Sequence, residues 1–207
     1  MRSTVRGGGG RYYHIMAALL AGVAIVLILA GLFAIASRIT AILGLPPHVH
    51  LPLPVGVIGL AISAAGVVLA TWLFKYRKPS AMIVSTYFTF TKMLRLTPVA
   101  KAGGRAEPLV VQGPQRYVRH PLYLAALAMV LGWSLATGMP SWFVWSVLMY
   151  LWFRLVQIPF EERELVALFG EQYLGYCHTV PMLVPFTKPT RPRRGEHRPP
   201  SGRPPEH

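Results

Sequence analysis

Three blocks of this chain, residues 12–37, 39–74 and 120–153, contain no Asp, Glu, Lys or Arg. A soluble core helix rarely needs a charge-free run of that length, whereas about 20 consecutive apolar residues are what a helix needs to cross a bilayer. Composition agrees: 53% of the 207 residues are hydrophobic and only 14% are charged, against about 25% charged in an ordinary soluble domain. The expected architecture is an all-α, polytopic integral membrane protein. Its transmembrane helices number about four, near 14–36, 53–74, 122–137 and 141–160. Residues 81–96, apolar and aromatic but carrying Lys92 and Arg95, suit a cytoplasmic interfacial or re-entrant helix bordering a lipid entrance. Residues 1–13 read as a flexible basic leader and 14–187 as one membrane-embedded domain. Within that domain 109–187 holds the motifs, and a short helix lies near its C-terminal end. The Pro- and Arg-rich segment 188–207 lacks periodicity and reads as a disordered tail. A signal peptide is the rival reading of the start, but the apolar stretch from Ile15 to Ala36 exceeds the usual h-region.

The net charge of +14 raises the question of nucleic acid, and its distribution answers it. Arg38 alone falls on one side of the expected helices and Arg154 within the fourth; every other Lys and Arg lies on the opposite side. This is the positive-inside pattern, which places both termini in the cytoplasm and directs the charge at anionic lipid rather than nucleic acid. Cys177 is the single cysteine, so no internal disulfide is possible. His48 and His50 have no carboxylate or thiol nearby, and no metal site is expected.

The informative polar residues stand at the two ends of the third block. Gly113-Pro114-Gln115-Arg116-Tyr117-Val118-Arg119-His120-Pro121-Leu122-Tyr123 precedes it and Glu161-Glu162 comes after it, with Gly138-Met139-Pro140 midway as a turn. About forty residues at about 1.5 Å each allow two helices across a hydrocarbon core of about 30 Å. A chain that crosses and returns brings both ends to the same face, so His120 and the Glu pair should be neighbours. Pro121 suits the first position of a helix, and the helix N-terminus beside Arg116 and Arg119 favours an anionic group. On the fourth helix Tyr150, Arg154, Gln157 and Glu161 have the spacing of one face, with Pro159 expected to bend the helix before the Glu pair. Arg154 lies within the apolar span, where it either snorkels to the surface or pairs inside a pocket.

The combination of Gly113-Pro114-x-Arg116-Tyr117-x-Arg119-His120-Pro121-x-Tyr123 with Glu161-Glu162-x-x-Leu165-x-x-x-Phe169-Gly170-x-x-Tyr173-x-x-Tyr176 and Val180-Pro181 resembles the isoprenylcysteine carboxyl methyltransferase family. The wider group includes phospholipid N-methyltransferases. The resemblance covers about seventy residues, and it implies a catalytic half at 109–187 that binds S-adenosylmethionine at the cytoplasmic face and methylates a lipophilic acceptor. Carried over, His120, Pro121 and Tyr123 match the cofactor motif and Glu161 and Glu162 its acidic partner. Arg119 suits the cofactor carboxylate. Phe169, Tyr173 and Tyr176, on a short cytoplasmic helix, either cover the adenine or seat that helix on the bundle, Phe169 suiting the seating role and Tyr173 counting among the expected cofactor-binding residues. Arg154 and Glu161 are the expected catalytic side chains. Gln115, Ala125 and Met182 depart from the family pattern, where an aromatic, a glycine and a basic residue are usual.

The acceptor stays open between a carboxylate, a phospholipid amine and a small thiol. A carboxylate needs no base near pH 7, whereas an amine has to lose a proton. Sterol-type reductases using NADPH share a related C-terminal architecture, but Leu122 and Ala125-Ala126 stand where their pattern has other residues. A non-catalytic membrane scaffold is the third reading. Membrane lipids and a lipophilic acceptor are the expected partners, with no nucleic acid and no obligate protein partner.

Overall fold

The computed structural model describes residues 9–76, 109 and 111–187 of the chain, and these are helical with no strand among them. The interfacial segment 81–96, the loop 97–108, most of the basic leader and the tail 188–207 lie outside the described residues. Helix α1 runs Gly9–Ile42 and α2 Leu53–Phe74. A 3-10 turn at Gly113–Arg116 leads to α3, Pro121–Thr137. Helix α4, Pro140–Trp152, continues through a π-helical turn at Phe153–Gln157 into α5, Ile158–Phe169, and α6 spans Glu171–Thr179.

Three helical segments, Gly22–Ile42, Leu53–Phe74 and Pro140–Phe169, are long and apolar enough to cross a membrane, and α3 is a shorter apolar helix of 17 residues. Their outward faces carry bare hydrocarbon: Leu53, Val57, Val68 and Leu27 are each more than half exposed. Such surfaces would be a liability in water and are the expected state of a helix facing lipid.

Helix α1 is longer at both ends than the expected 14–36, because nothing in the sequence breaks it before Gly44. It then stops in a Schellman arrangement, with Leu45 N–H donating to Thr40 C=O at 3.0 Å and Gly44 N–H to Ala41 C=O at 3.1 Å. Arg38 is consequently an exposed residue near the end of α1 rather than part of the following loop.

The tightest packing joins α2 to α3, and small residues make it possible. A Cβ on Gly59 would stand 2.6 Å from the Ala136 nitrogen and the Gly132 carbonyl, and one on Gly66 2.7 Å from the Ala125 carbonyl. A Cβ on Gly132 would in turn meet the Ser63 backbone. Backbones this close also exchange a polar contact, Ser63 Oγ donating to the Met129 carbonyl at 3.2 Å. Among the described residues nothing stands within 4 Å of where a Cβ on Gly22 or Gly31 would lie. Helix α1 instead meets α4 through Phe33, whose ring lies 5.0 Å from Trp142 and 5.6 Å from Trp145.

The two ends of the bundle differ. At one end the turn after α3 is made by Gly138 in the left-handed conformation (φ 65°), packed where a Cβ would strike the Val49 carbonyl. Val49 N–H donates to Gly138 C=O at 2.8 Å and His48 Nδ1 donates to the Thr137 carbonyl at 3.1 Å. The short loop 43–52 is thereby tied to the α3–α4 turn. At the opposite end lie the C-terminus of α2, the N-terminus of α3 and helices α5 and α6. There the Tyr76 ring stands where a Cβ on Gly113 would point.

Candidate active site

The second end carries the polar residues that the sequence sets apart. The 3-10 turn at Gly113–Arg116 buries Pro114 and delivers the chain to Arg119 and His120. Their backbone is clamped from the far side of the fold: Arg119 N–H donates to Pro181 C=O at 2.9 Å and His120 N–H to Met182 C=O at 3.1 Å. Pro121 then opens α3, where its missing N–H costs nothing.

The acidic partner arrives through the π turn. Pro159 has no N–H for the carbonyl four residues earlier and its ring crowds that carbonyl, so an unbroken α-helix is unfavourable there. The widened turn just upstream absorbs this, and it also adds one residue to the register, rotating the downstream residues by about 100°. Ser146 and Met149 before the turn and Ile158 and Glu162 after it are buried. On an uninterrupted helix the second pair would face away from the first; the added rotation brings all four to one side.

The hairpin expectation is met at atomic detail. Arg119 Nη2 lies 3.0 Å from Glu162 Oε1, with side-chain exposures of 0% and 3%. His120 sits between the two carboxylates, Nε2 at 3.4 Å from Glu162 Oε1 and Nδ1 at 3.6 Å from Glu161 Oε2. Tyr123 OH donates to Glu161 Oε2 at 2.9 Å, and its ring stacks on His120 at 5.6 Å and meets Phe153 at 4.6 Å. Arg119 Nη1 also donates to the Cys177 carbonyl at 3.3 Å, which ties α6 to the same centre. Burial alone would lower the His120 pKa; hydrogen bonding and charge attraction from Glu161 and Glu162 outweigh it and raise the value above that of free imidazole. With a carboxylate at each ring nitrogen, the imidazolium is the form this pocket favours.

Glu161 and Glu162 are not equivalent. The Glu162 side chain is sealed in with Arg119, while that of Glu161, at 16% exposure, is the less buried of the two. Tyr173 is buried on α6, its hydroxyl exposed to the charges of Glu162 and Arg119, and burial pushes its pKa upward so that it stays a neutral phenol. Tyr176 OH donates to the Gln115 carbonyl at 2.5 Å. Burial likewise raises the Cys177 thiol, which keeps it protonated.

Arg119, His120, Pro121, Tyr123, Glu161, Glu162 and Tyr173 therefore gather in one region. Arg154 falls inside the π turn, half-buried, and makes no hydrogen bond or ion pair among the described residues. The one-face stripe expected for Tyr150, Arg154, Gln157 and Glu161 does not survive the extra residue of that turn. Phe169 ends α5, separated from Tyr173 and Tyr176 by Gly170, whose φ of 51° and ψ of −128° suit glycine alone. Those three aromatics thus do not share a helix. Sequence reasoning also passed over Phe153, the buried Glu164 and the carbonyls of Pro181 and Met182. The Val180-Pro181 motif was the available signal for the last pair. Because carbonyl oxygens make the clamp, the side chain at 182 does not decide it.

Fold and site together define a helical membrane protein with a buried guanidinium–imidazole–carboxylate centre at one end of a helical hairpin. The chain belongs to the phospholipid methyltransferase family, whose model matches residues 55–172, more than half its length. A methanethiol S-methyltransferase of Crocosphaera subtropica is 40% identical to it over 75 residues, 34% of this chain and 27% of that protein. Protein-S-isoprenylcysteine O-methyltransferase B of Arabidopsis thaliana is 35% identical over 79 residues, 38% of this chain and 40% of the plant protein. Methanethiol S-methyltransferase 1 of Bradyrhizobium diazoefficiens is 28% identical over 131 residues, 62% of this chain and 44% of its own. The matched region is thus less than half the length of each of these three relatives. No solved structure matches the chain.

Proposed function

We propose that this protein is an S-adenosylmethionine-dependent methyltransferase acting on a lipophilic, membrane-resident acceptor such as an isoprenylcysteine-type carboxylate. The observation that carries the reading is the pair Glu161 and Glu162, held by Arg119, His120 and Tyr123, in a chain of a methyltransferase family. The donor is a sulfonium with an α-ammonium group and supplies an electrophilic methyl. Glu161, the more open carboxylate, is suited to receive cationic groups, and Glu162 adds negative field from behind while it fixes Arg119 and His120. Arg119, His120, Pro121, Tyr123 and Tyr173 complete the proposed cofactor shell. Its fit to the donor rests on the acidic pair and on the Tyr173 hydroxyl, a buried polar atom beside the Cys177 thiol that meets no hydrogen-bond geometry among the described residues.

An acceptor that arrives already ionised requires no base, so the protein's task is to orient it and exclude water. Arg154 is the proposed orienting group for a carboxylate, because its planar fork can hold both oxygens. Replacing Arg154 with lysine should leave donor binding intact and lower methyl transfer at least about tenfold. Full activity in Arg154→Lys would mean that the side chain only reaches for the membrane surface, which lysine does equally well.

The proposed orientation has both termini and the site in the cytoplasm, on the strength of the charge asymmetry around Arg38. A small thiol is the second reading of the acceptor, favoured by the similarity to methanethiol S-methyltransferases. Methyl transfer from radiolabelled S-adenosylmethionine to an isoprenylcysteine analogue, a small thiol and an ethanolamine phospholipid separates the readings. Base-labile label in the isoprenylcysteine analogue supports the first. Label in the thiol alone replaces it with the second. No transfer to any acceptor, with oxidation of NADPH instead, would overturn both.

A further inference from the structure

Gln115 is 8% exposed, yet its side-chain oxygen has no hydrogen-bond partner among the described residues. An amide oxygen removed from water and left unpaired bears the full cost of its lost hydration, and native proteins keep few such atoms. This one is not a loosely placed side chain. The 3-10 turn that carries it is pinned by the Tyr176 hydroxyl on the Gln115 carbonyl and packed by the Tyr76 ring against Gly113. One turn earlier on α6, its ring 5.9 Å from that of Tyr176, Tyr173 has a second buried polar atom, a hydroxyl beside the Cys177 thiol that meets no hydrogen-bond geometry among the described residues. That hydroxyl lies within the electrostatic reach of Glu162 and Arg119.

The charged centre, a neutral phenol and a neutral amide therefore belong to one region, linked through Tyr173, Tyr176 and the turn at Gln115. A ligand matching that set carries a cationic group, a hydroxyl and uncharged hydrogen-bonding groups. An amino acid joined through a ribose to a purine has all three, whereas an isoprenyl chain offers nothing to an amide. A glutamine amide presents one acceptor and one donor side by side, the complement of adenine's exocyclic amine and its N7.

We propose that Gln115 reads the purine edge of the methyl donor, its side-chain oxygen accepting a hydrogen bond from the exocyclic amine of adenine. The inference rests on the donor assignment made above and goes beyond it by naming the residue that selects an adenosyl group. Replacing the 6-amino group by a 6-oxo group leaves two acceptors, O6 and N7, on that edge, and a single glutamine amide, in either orientation, can pair with only one of them.

The test is equilibrium binding to the full-length, detergent-purified protein, using S-adenosylhomocysteine and S-inosylhomocysteine as probes, with no turnover required. The wild type should prefer the adenosyl compound at least about tenfold. Gln115→Leu should lose that preference by binding the adenosyl compound more weakly, with inosyl affinity unchanged within about twofold, and Gln115→Met should behave alike. Equal affinity of the wild type for both compounds would overturn the inference without any variant. A preference that persists in Gln115→Leu would overturn it too, leaving the donor assignment standing. Binding of neither compound would remove the donor assignment and this inference together.

Discussion

Glu162→Gln should destabilise the protein by about 3–5 kcal/mol, the usual cost of removing one partner from a buried ion pair. The substitution keeps the shape of the side chain but withdraws the charge that faces Arg119 at 3.0 Å and His120 at 3.4 Å in a sealed site. The same pair links the start of α3 to α5, and Arg119 extends the link to α6 through the Cys177 carbonyl. Loss of the charge therefore loosens three elements at once. Thermal denaturation in detergent should show a fall in midpoint on the order of 10 °C. A midpoint unchanged from wild type would mean that the Arg119–Glu162 pair contributes nothing net to the fold.

Glu161→Gln should behave differently. Its carboxylate is the less buried of the two, with the Tyr123 hydroxyl and His120 Nδ1 on Oε2, and the neutral amide can still accept the Tyr123 hydrogen bond. Stability should fall less than in Glu162→Gln, because the buried Arg119 keeps its partner, while affinity for S-adenosylmethionine falls roughly ten- to a hundredfold, the cost of about 1.5–3 kcal/mol for one lost charge-assisted contact. Two adjacent glutamates would thus separate into one that holds the site and one that serves it. Unchanged affinity in Glu161→Gln, measured by equilibrium binding, would remove this residue from the donor site.

The meeting of His120 with Glu161 and Glu162 was legible in the sequence because it depends only on helix rise, membrane thickness and one turn. Gly138 and Pro140 announce that turn by their own chemistry, a left-handed cap followed by a helix start. The π turn was not legible in that way. Pro159 signals that the i→i−4 ladder is broken, but a kink and an inserted residue satisfy that signal equally, and only packing chooses between them. The position of Arg154 depends on that choice, so a stripe counted at α-helical spacing does not carry through it. Exposure was equally hidden: Glu161 and Glu162 are identical in sequence terms, and burial of one beside Arg119 is a tertiary property.

Photochemical cross-linking tests the central claim most directly, that the Arg119–His120–Glu161–Glu162 end of the hairpin holds the methyl donor. Ultraviolet irradiation of the detergent-purified protein with methyl-labelled S-adenosylmethionine, followed by peptide mapping, reports which residues the donor touches. Label is expected within residues 113–123 and 153–177, and excess S-adenosylhomocysteine should abolish it. Label confined to the opposite end, around 43–56 or 135–140, or label that excess competitor fails to remove, would contradict the account.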